Sequence, residues 1–205
     1  KELPAPPMLA LPEPTEPIDV LKPQAEWLDW IDAQPHTLIG GKTRAGKTWL
    51  ATALLERRID AGADLFIIDP HSSDWMGLPT AGGSGVDERR AALKAVLNEY
   101  LRRMAIREDR KRASGHELPH DFFDPLCILI DESNGLFEEL AAEWRTVLKQ
   151  LASGSLKLGI SLIILAQSPL VEDLGISGAM RENFSRLALD ERTVQTLIDS
   201  ERDKG

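Results

Sequence analysis

Four short apolar runs punctuate the chain: HTLIGG at 36–41, DLFIIDP at 64–70, PLCILIDES at 125–133 and LGISLIILAQSP at 158–169. None alternates apolar with polar residues. Unbroken runs of four to eight apolar positions belong to strands covered on both faces, as in a parallel sheet. The segments between them carry a different period. TWLATALLERRIDAG, 48–62, reads as a helix with Gly62 near its C-terminal end. DERRAALKAVLNEYLRRMAIREDRKRASG, 87–115, reads as a long helix whose apolar stripe is Leu93, Val96, Leu97, Tyr100, Leu101 and Met104. FEELAAEWRTVLKQLASG, 137–154, reads as another helix, SSDWMGLPTAGGSG, 72–85, as loop, and RENFSRLALD, 181–190, as a short helix and a further strand. Strands alternating with helices predict an α/β fold, a mainly parallel sheet with helices on both faces. No internal repeat is visible.

The N-terminal end breaks this pattern. KELPAPPMLALPEPTEPIDVLKP, 1–23, is rich in proline, which removes backbone donors and favours extended chain. It is expected to be a linker or a strap, with one domain from 24 to 205. In QAEWLDWIDAQP, Trp27, Leu28, Trp30 and Ile31 suit the buried side of a short helix.

Composition narrows the setting. A chain of 205 residues with 42% hydrophobic positions holds a real core in one α/β domain. A formal net charge of -9 argues against coating nucleic acid or an anionic membrane over a broad surface, though not against a basic contact inside a channel. Cys127 is the single cysteine and lies in an apolar run, so no internal disulfide is possible; a reducing, cytoplasmic setting is expected. No apolar run approaches membrane-spanning length and no secretory signal is seen. The sequence opens at Lys1 rather than Met, so a fragment is expected, whose flanks carried other domains or an anchor.

The first apolar run leads into Gly41-Lys42-Thr43-Arg44-Ala45-Gly46-Lys47-Thr48, followed by Trp49 at the start of a helix. This is the G-x-x-x-x-G-K-T pattern in a strand–turn–helix setting, which is the context a phosphate-binding loop needs. Glycine allows the tight turn and brings N–H groups to the phosphates, and the helix start adds unpaired donors. Lys47 is expected to reach the β- and γ-phosphates and Thr48 to ligate Mg2+. The third run ends in Asp131 and Glu132: one acid to hold the metal through water, the next to polarise the attacking water. Gln167 closes the fourth run, where a neutral amide can contact the γ-phosphate, because ligands of open α/β sheets bind at strand carboxyl ends.

In combination these segments resemble the FtsK/HerA family of DNA-pumping P-loop ATPases. PHTLIGGKTRAGKT is similar to that family's phosphate loop, LFIIDPH to its second strand with an aspartate-proline ending, LCILIDES to its magnesium-and-base strand, and LGISLIILAQSP to its strand with the sensing glutamine. NFSRLALDERTVQTLI resembles the family segment beyond. The likeness covers about residues 35–198, with the motifs in family order. It implies a RecA-like core that binds ATP and Mg2+ and assembles as a homo-oligomer, usually a hexameric ring, around double-stranded DNA, with further protein partners possible. Departures are Arg44 and Ala45, where small residues are usual, and the absence of the trans-acting arginine shortly before the glutamine strand. Lys157 stands there instead, with Arg145 and Lys149 on the preceding helix as alternatives. Arg44 is expected to touch phosphate or a neighbouring subunit. The chain stops at Gly205, where family translocases usually continue. The alternative function is an ATP-dependent switch that recruits DNA-processing partners without translocating.

Three features stand outside this scheme. HELPH, 116–120, matches H-E-x-x-H, but Pro119 interrupts the continuous helix a zinc protease needs. His71 follows the second strand beside the site face, and His36 belongs to the start of the first strand. REDRKR, 107–112, is the basic cluster; Arg110, Lys111 and Arg112 suit DNA phosphates, or a solvated helix end favoured by the helix dipole.

Overall fold

The computed structural model describes residues 28–71, 74–83, 85–119, 121–168, 174–175, 177, 180 and 182–202. The proline-rich segment 1–23 and Trp27 lie outside the described residues. Six strands form one sheet: β1 His36–Gly40, β2 Asp64–Ile68, β3 Thr80–Ala81, β4 Leu126–Ile130, β5 Ile160–Ala166 and β6 Ser185–Ala188. Their order is β3-β2-β4-β5-β1-β6, and every pairing is parallel. Residues 28–32 are helical, and the longer helices are α1 Lys47–Asp60, α2 Val86–Ser114, α3 Ser133–Glu139, α4 Ala141–Gly154 and α5 Glu191–Arg202, with a 3-10 turn at Ser155–Leu158.

Successive strand residues point to opposite faces, and each face has its own core. Ile39, Ile67, Cys127, Leu129, Ile163 and Leu165 pack with Leu50, Leu54 and Leu55 of α1, and with Ile31 and Trp75. Leu38, Ile68, Ile128, Ile130, Leu162 and Ile164 pack against α2, α3 and α4 through Leu93, Val96, Leu136, Trp144 and Leu148. The direction of the crossovers requires this division. From β1 to β2 the chain travels one way along the sheet; from β3 to β4 to β5 it travels back. Right-handed crossovers in opposite directions put their helices on opposite faces.

The structure corrects several expectations. Trp30, expected on the buried side of a short helix, is 53% exposed, whereas Ile31 beside it is buried. Residues 182–184, expected as a short helix, form a turn before β6. Thr80–Ala81, read as loop, forms a two-residue edge strand against Ile67 and Ile68, too short to leave a periodic signal. The helix expected over 137–154 begins at Ser133 and breaks at Leu140, whose φ of -130° lies outside helical space. Leu101 is 50% exposed; two i+4 steps beyond Leu93 it has turned about 80° off the stripe. Residues 191–202, not assigned to any element, form α5. Asp190 caps it: its Oδ1 accepts the Thr193 N–H at 3.1 Å. At the α2–α4 crossing, a Cβ on Gly154 would lie 2.7 Å from Tyr100 Oη, so a larger residue there would force the buried Tyr100 ring to shift.

Candidate nucleotide site

The phosphate loop hangs between two strand ends. Gly41 N–H donates to Ala166 O at 3.1 Å, and Leu189 N–H to Gly40 O at 3.0 Å. Gly46 takes φ 94°, a left-handed turn that glycine adopts without strain, while Arg44 at φ 67° does so with a side chain. Lys47 is buried, and its Nζ donates to Gly41 O at 2.6 Å and Lys42 O at 3.2 Å. The ammonium is thus folded into the mouth of its own loop. Lys42, Thr43, Arg44, Thr48 and Trp49 are exposed, Trp49 by 71%.

Asp131 follows β4 and is almost fully buried; its Oδ1 accepts the Glu132 N–H at 2.8 Å. Burial pushes its carboxyl up to about 6; the hydrogen bond from Glu132 opposes the rise, Asp69 and Glu132 reinforce it, and Lys47 offsets part of it. Glu132 sits at φ 49°, ψ 45°, left-handed for a residue with a side chain, at a cost of about 1–2 kcal/mol. That backbone directs its carboxylate toward β5, where Gln167 Nε2 donates to Glu132 Oε2 at 3.0 Å. The ends of three adjacent strands, β4, β5 and β1, therefore present Glu132, Gln167 and the Lys47 loop together.

Three contributors were not singled out by sequence reasoning. Asp190 Oδ2 accepts the Lys42 N–H at 2.9 Å and the Thr193 hydroxyl at 2.8 Å, tying the phosphate loop to α5. Those bonds, the one from Lys42 first, hold its carboxyl down at about 2. The D-E-R-T capping pattern was the available signal. Asp69 is buried and accepts the His71 N–H at 2.7 Å and Trp75 Nε1–H at 2.9 Å. Asn134 hydrogen-bonds the chain beyond β5. Asp69 stands in the aspartate-proline ending noted in the sequence, but its partners, like those of Asn134, are tertiary contacts with no local signature.

Other candidates lie elsewhere. Lys157 is exposed in the 3-10 turn before β5, whereas Gln167 follows that strand; seven strand residues, or about 23 Å, separate the two ends. Arg145 lies over the Phe137 ring at 5.1 Å, and Lys149 is exposed on α4. Among the described residues none of the three is hydrogen-bonded or ion-paired to Glu132, whose carboxylate meets Gln167. Arg110, Lys111 and Arg112 are exposed at the end of α2 remote from the site; Lys111 pairs with Glu117, and Arg112 with Asp109 at 3.6 Å. Glu117 of HELPH is engaged by Arg107 and Lys111 in a non-helical stretch, and His120 lies outside the described residues. Among the described residues no group of three or more His, Cys, Asp or Glu is arranged to hold a metal. His71 is exposed and lines, with Arg89, Glu132 and Glu139, a cavity of about 300 Å³. No described helix is long and apolar enough to cross a membrane.

Thr48 and Asp131 offer a hydroxyl and a carboxylate, hard oxygen donors of the kind Mg2+ takes. A cation there would also relieve the cost of ionising buried Asp131, so the residues present fit the metal.

No protein-family model matches the chain. Two curated relatives do: the FtsK domain-containing protein YdcQ of Bacillus subtilis (strain 168), 26% identical over 173 residues, and the DNA translocase FtsK of Chlorobaculum tepidum, 27% identical over 205 residues. The matches cover 80% and 85% of this chain but 36% and 25% of those proteins. The chain therefore spans about a third or less of the relatives' length. Among solved structures, the pCW3 conjugation coupling protein TcpA, a monomer form with ATPγS, superposes with a TM-score of 0.62 at 20% identity, over 80% of this chain and 52% of that one. The cytoplasmic domain of the Thermomonospora curvata type VII secretion ATPase EccC gives 0.55 at 16% identity, over 75% and 20%. These two likenesses bear on the fold. The parallel sheet with its phosphate loop at the strand ends is a RecA-like P-loop fold. Within that fold, the two curated matches make the chain similar in sequence to FtsK-type proteins.

Proposed function

We propose that this chain hydrolyses ATP with Mg2+ to drive the movement or transfer of double-stranded DNA, acting as a ring of copies, a hexamer by the family resemblance. The observation that carries the reading is the convergence of Lys47, Asp131, Glu132 and Gln167 at the ends of β1, β4 and β5. In this reading the loop N–H groups and Lys47 bind the phosphates, the ammonium exchanging its two carbonyl partners for phosphate oxygens. Thr48 and Asp131 hold Mg2+, which when bound neutralises charge on the β- and γ-phosphates. Glu132 accepts a proton from the attacking water. Gln167, released from Glu132, contacts the γ-phosphate. A basic residue of a neighbouring copy, Lys157, Arg145 or Lys149, completes the site; a lysine lacks the planar fork of arginine, so slow turnover by the isolated chain is expected. Arg110, Lys111 and Arg112 are the candidate DNA contacts, and the cytoplasm is the expected setting.

One observation favours a second reading, an ATP-dependent switch that recruits DNA-processing partners. The net charge is -9, and two of the three clustered basic residues are already paired with acids. The test is Mg2+-dependent ATP hydrolysis with and without duplex DNA, with Lys47→Ala as control. Stimulation by DNA that falls with salt, and its loss in Lys47→Ala, supports the motor. ATP binding with no effect of DNA under assembling conditions refutes it in favour of the switch.

A further inference from the structure

β5 outruns its neighbour: β4 ends at Ile130, paired with Ile164, while β5 continues to Ala166. Beyond Ala166 the ladders no longer hold the chain, yet Gln167 must be placed there. Asn134 takes over. Its Oδ1 accepts the N–H of Gln167 at 2.8 Å and that of Ser168 at 3.4 Å, and its Nδ2 donates to Ser168 O at 3.3 Å. One carboxamide thus pairs with the peptide groups of both residues that follow the strand. The Gln167 side chain is held by Glu132, two residues before Asn134. Main chain and side chain of the glutamine are therefore fixed from the same turn, the one that carries the candidate base. Asn134 stands at the second position of α3. There, in the first turn and half-buried, its carboxamide pairs with the main chain of another segment.

We infer that Asn134 is a positioning residue for ATP hydrolysis, clamping the main chain at Gln167 and Ser168 so that the Gln167 amide and the Glu132 carboxylate stay in register with the phosphate loop. The role rests on the function proposed above. In this role Asn134 acts through Gln167, whose main chain it holds. Alanine removes all three bonds. Aspartate keeps the acceptor for both N–H groups but loses the donor to Ser168 O and adds a charge near Glu132.

The experiment compares Asn134→Ala, Asn134→Asp, Gln167→Ala and the Asn134→Ala/Gln167→Ala double variant in the full chain. Hydrogen exchange at the Gln167 and Ser168 amides should quicken about tenfold or more in Asn134→Ala, the scale of one lost hydrogen bond, with the β4 and β5 amides unchanged. It should stay near wild type in Asn134→Asp. The kcat for ATP should fall about tenfold or more in Asn134→Ala, with ATPγS affinity within about threefold, the split expected of a group acting on the reacting geometry rather than on binding. The double variant should lose no more than Gln167→Ala, since the two act as one unit. Unchanged exchange overturns the inference. So does wild-type kcat, a parallel fall of kcat and ATPγS affinity, or additive losses. If the wild type itself hydrolyses no ATP, with or without DNA, it is the proposed function that fails. The clamp is then judged by exchange and by the preference for ATPγS over ADP, which Asn134→Ala must lose as Gln167→Ala does; a retained preference refutes it.

Discussion

Asp131 is a residue whose removal should make the protein more stable. Its carboxyl is buried and shifted from 3.8 to about 6 by that burial, with Asp69 and Glu132 adding to it. The sign follows from proton binding. A carboxyl whose pKa is raised by folding binds its proton more tightly in the native state, so stability falls as pH rises from about 4 to 6 and the full penalty remains above that range. At 1.36 kcal/mol per pH unit, the shift costs about 3 kcal/mol at pH 8 and about 0.5 kcal/mol at pH 4. The carboxamide introduced by Asp131→Asn would keep an oxygen to accept the Glu132 N–H while carrying no charge. In urea unfolding with EDTA and no nucleotide, Asp131→Asn should therefore be about 1–3 kcal/mol more stable than wild type at pH 8, with most of the advantage gone at pH 4. On the proposed function, adding Mg2+ and ATPγS should reverse the order, because the wild-type carboxylate would then be a ligand. An advantage that does not change with pH, or a less stable variant at pH 8 without metal, would refute the reasoning.

Burial of His36 holds its imidazole down at about 4, so the folded state keeps it neutral where the unfolded chain binds a proton. Stability should be lost as pH falls from 6.5 toward 4, and His36→Leu should lose about 2 kcal/mol less than wild type between pH 7.5 and 5 in the same urea assay. Gly154→Ala should destabilise by about 1–3 kcal/mol through its contact with the Tyr100 hydroxyl; removing that oxygen in Tyr100→Phe should restore the thermal midpoint of the double variant.

Much of this molecule was legible before any coordinates. The four apolar runs became β1, β2, β4 and β5, because a strand covered on both faces must be apolar throughout, and that requirement is written residue by residue. The phosphate loop was legible for a similar reason: glycine, lysine and hydroxyl act within one turn, so their spacing in the chain is nearly their spacing in space. Asp131, Glu132 and Gln167 were readable as residues that end apolar runs. Which strand lies beside which was not. Only the order β3-β2-β4-β5-β1-β6 brings Glu132 to Gln167 and Asp190 to Lys42, across 35 and 148 positions of sequence. The break at Leu140, the two-residue β3 and the clamp of Asn134 share that origin. They are set by what the opposite segment offers in hydrogen bonds and space, and a one-dimensional pattern carries periodicity and local turn chemistry but no record of partners.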